Sequence, residues 1–292
     1  MLIGKHKKCP PKPQKTYGAS IYPFAKATMN VIGFYKIPTF GLSILNTIMN
    51  VKVQKTTLAT IKPFRSLFLQ EINVQIRYNA CHERGWSDSY QLSIDQQMVG
   101  YGSVKGQEIS DRDTVFEFYV LPAFRRYTTP LFEELLKVSK ATYLECQSND
   151  AHWSSLVYEF SQNINADTIL FEDQCVTDWV MPDVQFRPRR DDEPHIEGAG
   201  AYVLERAGRI VATGGIMLHY NIPFADLFME VDKDCRENGL GSYLLQELKR
   251  ECYQQGRVPA ARCSIANKAS KATLLKAGFK VAGFMLLGTV KG

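Results

Sequence analysis

The chain has 292 residues, 45% of them hydrophobic and 22% charged. That is ordinary globular composition, enough for one or two domains, and it excludes a largely disordered chain, a collagen-like fibre and a long coiled coil. The formal charge of +5 is carried by one end. Residues 1–48 hold seven lysines and no Arg, Asp or Glu, which leaves 28 basic and 30 acidic side chains for residues 49–292, a net of −2. A nucleic-acid partner argued from total charge would therefore rest on a tail, and the body lacks the aromatic–basic interleaving that single-strand binders use.

The first 48 residues open with Lys5-His6-Lys7-Lys8 and Pro10-Pro11-Lys12-Pro13, then run apolar from Val31 to Ile48 with interruptions at Lys36, Pro38 and Asn46. A membrane-spanning helix needs ~20 predominantly apolar residues, and a secretory signal needs an uninterrupted apolar core with a small-residue cleavage site. A transit peptide would be rich in Arg. The segment fits none of these, so no membrane association is expected. It is expected to be a disordered extension or no part of the working protein, with Met49 as its start. The seven cysteines (9, 81, 146, 175, 235, 252 and 263) are odd in number and form no C-x-x-C pair. Reduced thiols in a cytoplasmic protein are the expectation. The five histidines are scattered without H-E-x-x-H, so no metal site is expected.

After the extension, Ile61 to Glu83 carries Phe64, Leu67, Phe68, Ile72 and Ile76 near helical spacing and predicts one long helix. An internal repeat begins next. Tyr90 to Gly102 lines up with Tyr202 to Gly214 at an offset of 112, each reading as strand, tight polar turn and strand. Phe118 to Arg125 lines up with Met229 to Arg236 at offset 111, and Asn149 and Leu156 with Asn267 and Leu274 at offset 118. The alternative is two unrelated segments that share strand–turn–strand patterning. Between the copies, Met181 to Gly198 carries prolines and a mixed charge run and reads as a solvated linker. The boundaries expected are an extension at 1–48, a first domain at 49–180, a linker at 181–198 and a second domain at 199–292. At about a hundred residues the second copy is small for an independent core and is expected to pack on the first.

The strongest chemical signal is Arg236-Glu237-Asn238-Gly239-Leu240-Gly241-Ser242. A strand, Leu227 to Val231, leads into it, and a helix with Leu240, Leu244, Leu248 and Cys252 at i, i+4 spacing leads out. Glycines admit otherwise costly dihedrals and close ligand approach, and first-turn N–H groups favour an anion. The pattern is neither a P-loop nor a G-x-G-x-x-G dinucleotide fingerprint. Read alone, it is a pyrophosphate cradle or a turn whose glycines serve packing only.

R-x-x-G-x-G between a strand and a helix resembles the acyl-CoA-binding motif of the GNAT N-acetyltransferase superfamily. Ala261 to Ile265 followed by Asn267 through Gly278-Phe279 resembles that family's second motif, with Gly278 closing the helix. The resemblance covers residues 200–292 and, through the repeat, 55–175 as a degenerate copy. It implies an α/β (α+β) fold of two tandem GNAT-like mixed-sheet domains, the second smaller and carrying the acyl-CoA motif.

The resemblance also implies roles. The strand ending at Val231 would splay from Ala261–Ile265, with the pantetheine arm of acetyl-CoA bound to main chain near Val231. Backbone amides from Asn238 to Ser242, across Gly239, Leu240 and Gly241, would hold the pyrophosphate. Arg236, flanked by Glu237, would add a charged contact or lie on the surface. Asn267, with Ser270 in the same motif, would steady the pantetheine or cap the following helix. Glu230 is the candidate base, or an exposed strand glutamate; His219 and Tyr220 are the other candidates. The Tyr that the family often uses as acid falls at Leu274 or Leu275, and Cys263 is a speculative substitute.

In the first copy, Arg125-Arg126-Tyr127-Thr128-Thr129-Pro130 stands at the glycine turn without either glycine, so one acyl-CoA site is expected. The first copy would be scaffold, substrate platform or homodimer surface. The expected activity is transfer of acetyl from acetyl-CoA to a primary amine of a small molecule or protein. The alternative is a non-catalytic acyl-CoA-binding regulator.

Overall fold

The computed structural model describes residues 50–193 and 199–292. The basic extension and the expected start at Met49 lie outside the described residues. The first copy runs β1 (Val51–Thr56), α1 (Leu58–Glu71), α2 (Asn79–Glu83), β2 (Ser87–Ile94), β3 (Gln97–Lys105), β4 (Thr114–Val120), α3 (Thr128–Ser139), β5 (Tyr143–Gln147), α4 (Ala151–Phe160) and β6 (Ser161–Asp173). The second runs β7 (Gln185–Pro188), β8 (Tyr202–Arg206), β9 (Arg209–Met217), β10 (Phe224–Val231), α5 (Leu240–Gln254), β11 (Val258–Ser264), α6 (Lys268–Lys276) and β12 (Phe279–Val290). No helix among the described residues is long and apolar enough to cross a membrane.

These strands form one mixed sheet of order β1-β2-β3-β4-β5-β12-β6-β11-β10-β9-β8-β7. The order is close to a palindrome. Each copy contributes an antiparallel run, then one parallel pair: β4 with β5, and β10 with β11. At the centre the final strands are exchanged. β12 of the second copy pairs with β5 of the first, and β6 of the first pairs with β11 of the second. β6 and β12 also pair with each other along most of their length. Neither copy closes its sheet without the other.

Local chemistry accounts for the elements. The β2–β3 hairpin turns on Asp95 and Gln96, and the β8–β9 hairpin on Ala207 and Gly208, all four at positive φ. Paired left-handed residues in a two-residue loop match the twist of the flanking strands. α5 buries Leu240, Leu244, Leu245, Leu248 and Cys252 against Leu227, Ala261 and Phe279. α3 and α4 bury Leu131, Phe132, Leu135 and Trp153 in the matching core of the first copy, where Phe118 stacks on Trp153. On the other face of that copy, α1 lays Ile61 and Phe68 over Tyr101 and Tyr119.

Two expectations need correction. The helix expected from Ile61 to Glu83 is two helices, α1 and α2, because the chain turns inward between them. Ile76 and Tyr78 take positive φ there, and Gln75, Ile76 and Arg77 are buried. The Arg77 N–H donates to Asn221 Oδ1 at 2.9 Å, and Asn221 Nδ2 donates to the Val74 carbonyl at 2.9 Å. These tertiary bonds outcompete helical periodicity. The span 181–198, expected to be a solvated connection, contains β7, which adds an edge to the sheet against β8. Arg187 on that strand is largely buried between Glu193 and Glu205, so part of the charge run is paired rather than hydrated.

Candidate active site

β10 and β11 are paired only at Phe224–Val258, Ala225–Pro259 and Asp226–Ala260. Beyond Asp226 they part, while β10 stays bonded to β9 as far as Val231. The opening faces the N-terminus of α5. A cleft of about 760 Å³ lies there, lined by Glu230, Val231, Arg236, Glu237, Gly239, Leu240, Gly241, Ser242, Asn267, Ser270 and Lys276, among others. A second cavity of about 280 Å³ runs into the gap between the strands and is lined by Asp226, Arg262, Leu245 and Leu274. Met229 and Ser270 line both, so the two spaces adjoin.

The first intrahelical bond of α5 runs from the Tyr243 N–H to the Gly239 carbonyl at 3.1 Å. The N–H groups of residues 240–242 precede it and are the unpaired donors of the first turn. Gly239 is the N-cap residue at φ 76°, a conformation that strains an L side chain. A Cβ on Gly241 would lie 3.0 Å from Thr273 Cγ2 and 3.2 Å from Met229 Cε. Gly239 is therefore demanded by its backbone and Gly241 favoured by a tight fit against Thr273 and Met229, and what they leave open to an anion is the row of amides. Lys276 Nζ adds a positive charge on the same cleft, 3.5 Å from where a Gly239 Cβ would stand. Amides, one ammonium and a long cleft suit a diphosphate carrying an extended arm.

The other expected residues fall in different places. Asn267 caps α6, its side chain accepting from the Ser270 N–H at 2.9 Å. Ser242 Oγ donates to the Thr273 carbonyl at 3.2 Å, tying α5 to α6. Arg236 is exposed and its Nε donates to the Val231 carbonyl at 3.3 Å. Asn238 is exposed, and its Nδ2 donates to the Cys235 carbonyl at 3.3 Å. Glu230 is exposed on the wall of the cleft. His219 and Tyr220 sit in the β9–β10 connection and line neither cavity. Tyr220 is buried beside Ile76 and Leu170, with the Arg262 guanidinium 5.4 Å from its ring centre. Leu274, at the family's acid position, is buried in the core under α5. Cys263 is buried as well, and burial pushes its thiol up against a smaller opposing effect of Ser270.

Asp226 escaped the sequence reading. It is 2% exposed, at the residue where β10 leaves β11. Arg262 Nε donates to its Oδ2 at 3.1 Å, while Oδ1 is buried without a protein partner. Burial pushes its carboxyl up to about 6, against the downward pull of Arg262. A signal was present: an Asp inside an apolar strand, Phe224-Ala225-Asp226-Leu227-Phe228, is costly unless paired. Among the described residues no group of His, Cys, Asp and Glu is placed to hold a metal ion.

The equivalent gap in the first copy is filled. β4 and β5 pair at Thr114–Tyr143 and Val115–Leu144 and then part. The space between them is only about 10 Å³. Arg77, from the α1–α2 connection, reaches Asp150 at 3.2 Å, both nearly fully buried. Beside them Glu117 takes bonds from Arg65 at 2.9 Å, His82 at 3.0 Å and Tyr101 at 3.0 Å. Burial works against its charge, yet Arg65 and His82 hold its carboxyl well below the usual range. Thr128, in register with Gly239, is buried at the start of α3.

Residues 57–174 match a family described as "Acetyltransferase (GNAT) domain", and residues 170–279 match "Acetyltransferase (GNAT) family". Among solved structures, a GNAT-family acetyltransferase from Colwellia psychrerythraea superposes with a TM-score of 0.66 at 15% identity, covering 82% of this chain and 100% of that one. A tandem GNAT protein from the clavulanic acid biosynthesis pathway gives 0.53 at 12% identity, covering 83% of this chain and 99% of that one. No curated protein matches significantly. At these identities the structural likeness is one of fold, and it agrees with the two sequence matches placed end to end. The chain belongs to the GNAT acetyltransferase superfamily and carries two GNAT domains in tandem.

Proposed function

We propose that the protein is an acetyl-CoA-dependent N-acetyltransferase whose working site is the β10–β11 gap, with Asp226 as the general base. The observation that carries this reading is the buried, unpartnered Asp226 Oδ1 in a cavity that adjoins the cleft at Met229 and Ser270. The amides of residues 240–242 and Lys276 would hold the diphosphate. The pantetheine arm would run along β10 from Val231 into the gap, which brings the thioester toward Met229. Acetyl-CoA supplies an activated acyl group; the chain supplies position and a proton acceptor. The amine nitrogen bonds to the acyl carbon, the C–S bond breaks, and the amine's proton passes to Asp226 directly or through one water. The thiolate leaves with a proton from solvent or from the protonated acceptor. A base near 6 is charged at neutral pH and still basic enough to help, the balance that general-base catalysis wants.

Glu230, on the wall of the cleft, is the competing base. Acetyl-CoA turnover across an amine panel, read as released thiol, tests the reading. Asp226→Asn should lower kcat about 10²–10⁴-fold, the usual weight of a general base, while acetyl-CoA binding persists. Glu230→Gln should cost less than tenfold. Binding without turnover on any amine would favour a non-catalytic acyl-CoA-binding regulator.

A further inference from the structure

The segment joining the two copies passes along the rim of the cleft. Its start is pinned by Lys249 of α5, whose Nζ donates to the Cys175 carbonyl at 2.7 Å. Further on, the Trp179 N–H donates to Gln246 Oε1 at 2.7 Å, and Gln246 Nε2 returns a bond to the Trp179 carbonyl at 3.0 Å. Gln246 is 2% exposed on α5, so this two-way clamp fixes the main chain at Trp179 against a rigid helix. Met181 Cε then comes within 3.2 Å of where a Gly239 Cβ would lie. The connection is thereby held at the head of α5.

Its apolar side chains are nevertheless left in solvent. Trp179 is 46% exposed, Val176 60% and Val180 83%. An indole held by a buried amide and left half open is a poor use of apolar surface unless something covers it. The charge beside it indicates what. Lys276 Nζ stands 5.0 Å from the centre of the Trp179 ring and also lines the cleft beside Gly239. An anionic group held by the α5 amides and Lys276 would put whatever is attached to it next to the indole.

Resting on the acyl-CoA reading above, we propose that Trp179 is the stacking platform for the adenine of the bound acyl-CoA, so that the connection between the copies forms the nucleotide end of the second copy's site. Aromatic side chains hold flat bases by their faces, and the ring needs no base-specific bonds to do so. Gln246 holds the main chain of Trp179 through its two bonds and does not itself touch the ligand in this proposal.

The test separates the nucleotide from the arm. Acetyl-CoA and S-acetyl-4′-phosphopantetheine, which keeps the thioester and one phosphate but lacks the adenosine 3′,5′-bisphosphate, are titrated calorimetrically into the full chain, Trp179→Ala and Trp179→Phe. The Ala variant should bind acetyl-CoA roughly 5- to 150-fold more weakly, the range of one lost base–aromatic stack, and the truncated thioester within about twofold of the parent. The Phe variant should recover most of the acetyl-CoA affinity. If the Ala variant binds acetyl-CoA like the parent, the platform is refuted and the cradle stands. Equal weakening of both ligands would overturn it too, by making Trp179 a packing residue of the rim. A parent that binds neither ligand would instead overturn the acyl-CoA reading on which the platform rests.

Discussion

A buried carboxylate beside a cation feels two opposed pulls, and Asp226 is that case. Its pKa is pushed up to about 6 by burial while Arg262 pulls it down. A base acts in its charged form, so kcat/KM should fall as pH drops through about 6 and level off above it. Arg262→Gln removes the downward pull, so the acidic limb should move to higher pH; a limb that stays put or moves lower would remove Asp226 from the chemistry. Turn residues were legible in the sequence because glycine is read by its backbone, and Gly239 sits at the helix start where R-x-x-G-x-G places it. For Asp226 the sequence shows only a costly Asp in an apolar strand; the environment that makes it part of a site comes from Ala260 and Arg262 across the gap, more than 30 residues downstream. His219 and Tyr220 are the converse. They stand just past the end of the strand before β10, but their loop is drawn toward the α1–α2 connection by Asn221.

Among the elements, α5 has the most tasks: it offers its N-terminus to the cleft, its apolar face to the core and Lys249 to four partners. Lys249 Nζ is 2.7 Å from Asp173 at the end of β6, and it donates to the Cys175 carbonyl and to the Ala277 and Gly278 carbonyls that close α6. The amine is 2% exposed, so its removal takes a donor from the Cys175 and Ala277 carbonyls and the ion-pair partner from Asp173, which keeps the Tyr253 hydroxyl at 2.8 Å. Lys249→Met, which keeps the stem but not the charge, should cost about 1–3 kcal/mol in denaturant unfolding, the usual penalty for leaving buried acceptors without their donor. A change below about 1 kcal/mol would show that water replaces the ammonium. Hydrophobic periodicity announced α5 correctly because its buried positions are contiguous on one face. The same rule misjudged 61–83, where Ile72 and Ile76 keep helical spacing while the backbone between them turns away. Periodicity reports which residues are buried and is silent on whether one helix buries them all.

At the scale of the molecule, one gap is open and its twin is plugged by Arg77, Asp150 and Trp153. Calorimetry should accordingly find one acetyl-CoA per chain, and a stoichiometry of two would mean that the plug yields. The tandem repeat was readable from the offset of about 112 residues between matched hairpins. The strand exchange was not, since the offset between matched hairpins carries no information on which final strand each copy pairs with. That exchange also sets an order of events during synthesis. β5 emerges from the ribosome with its edge bare, and the residues that cover it, Met285–Thr289, come about 140 positions later. At 5–20 residues per second the wait is about 7–28 s. Through that interval the nascent first half exposes a β edge suited to pairing with other chains. Mutations that slow the second half's arrival would then lower yield without touching any contact of the finished fold, and a chaperone that shields the edge of β5 would act on the protein before its second half exists.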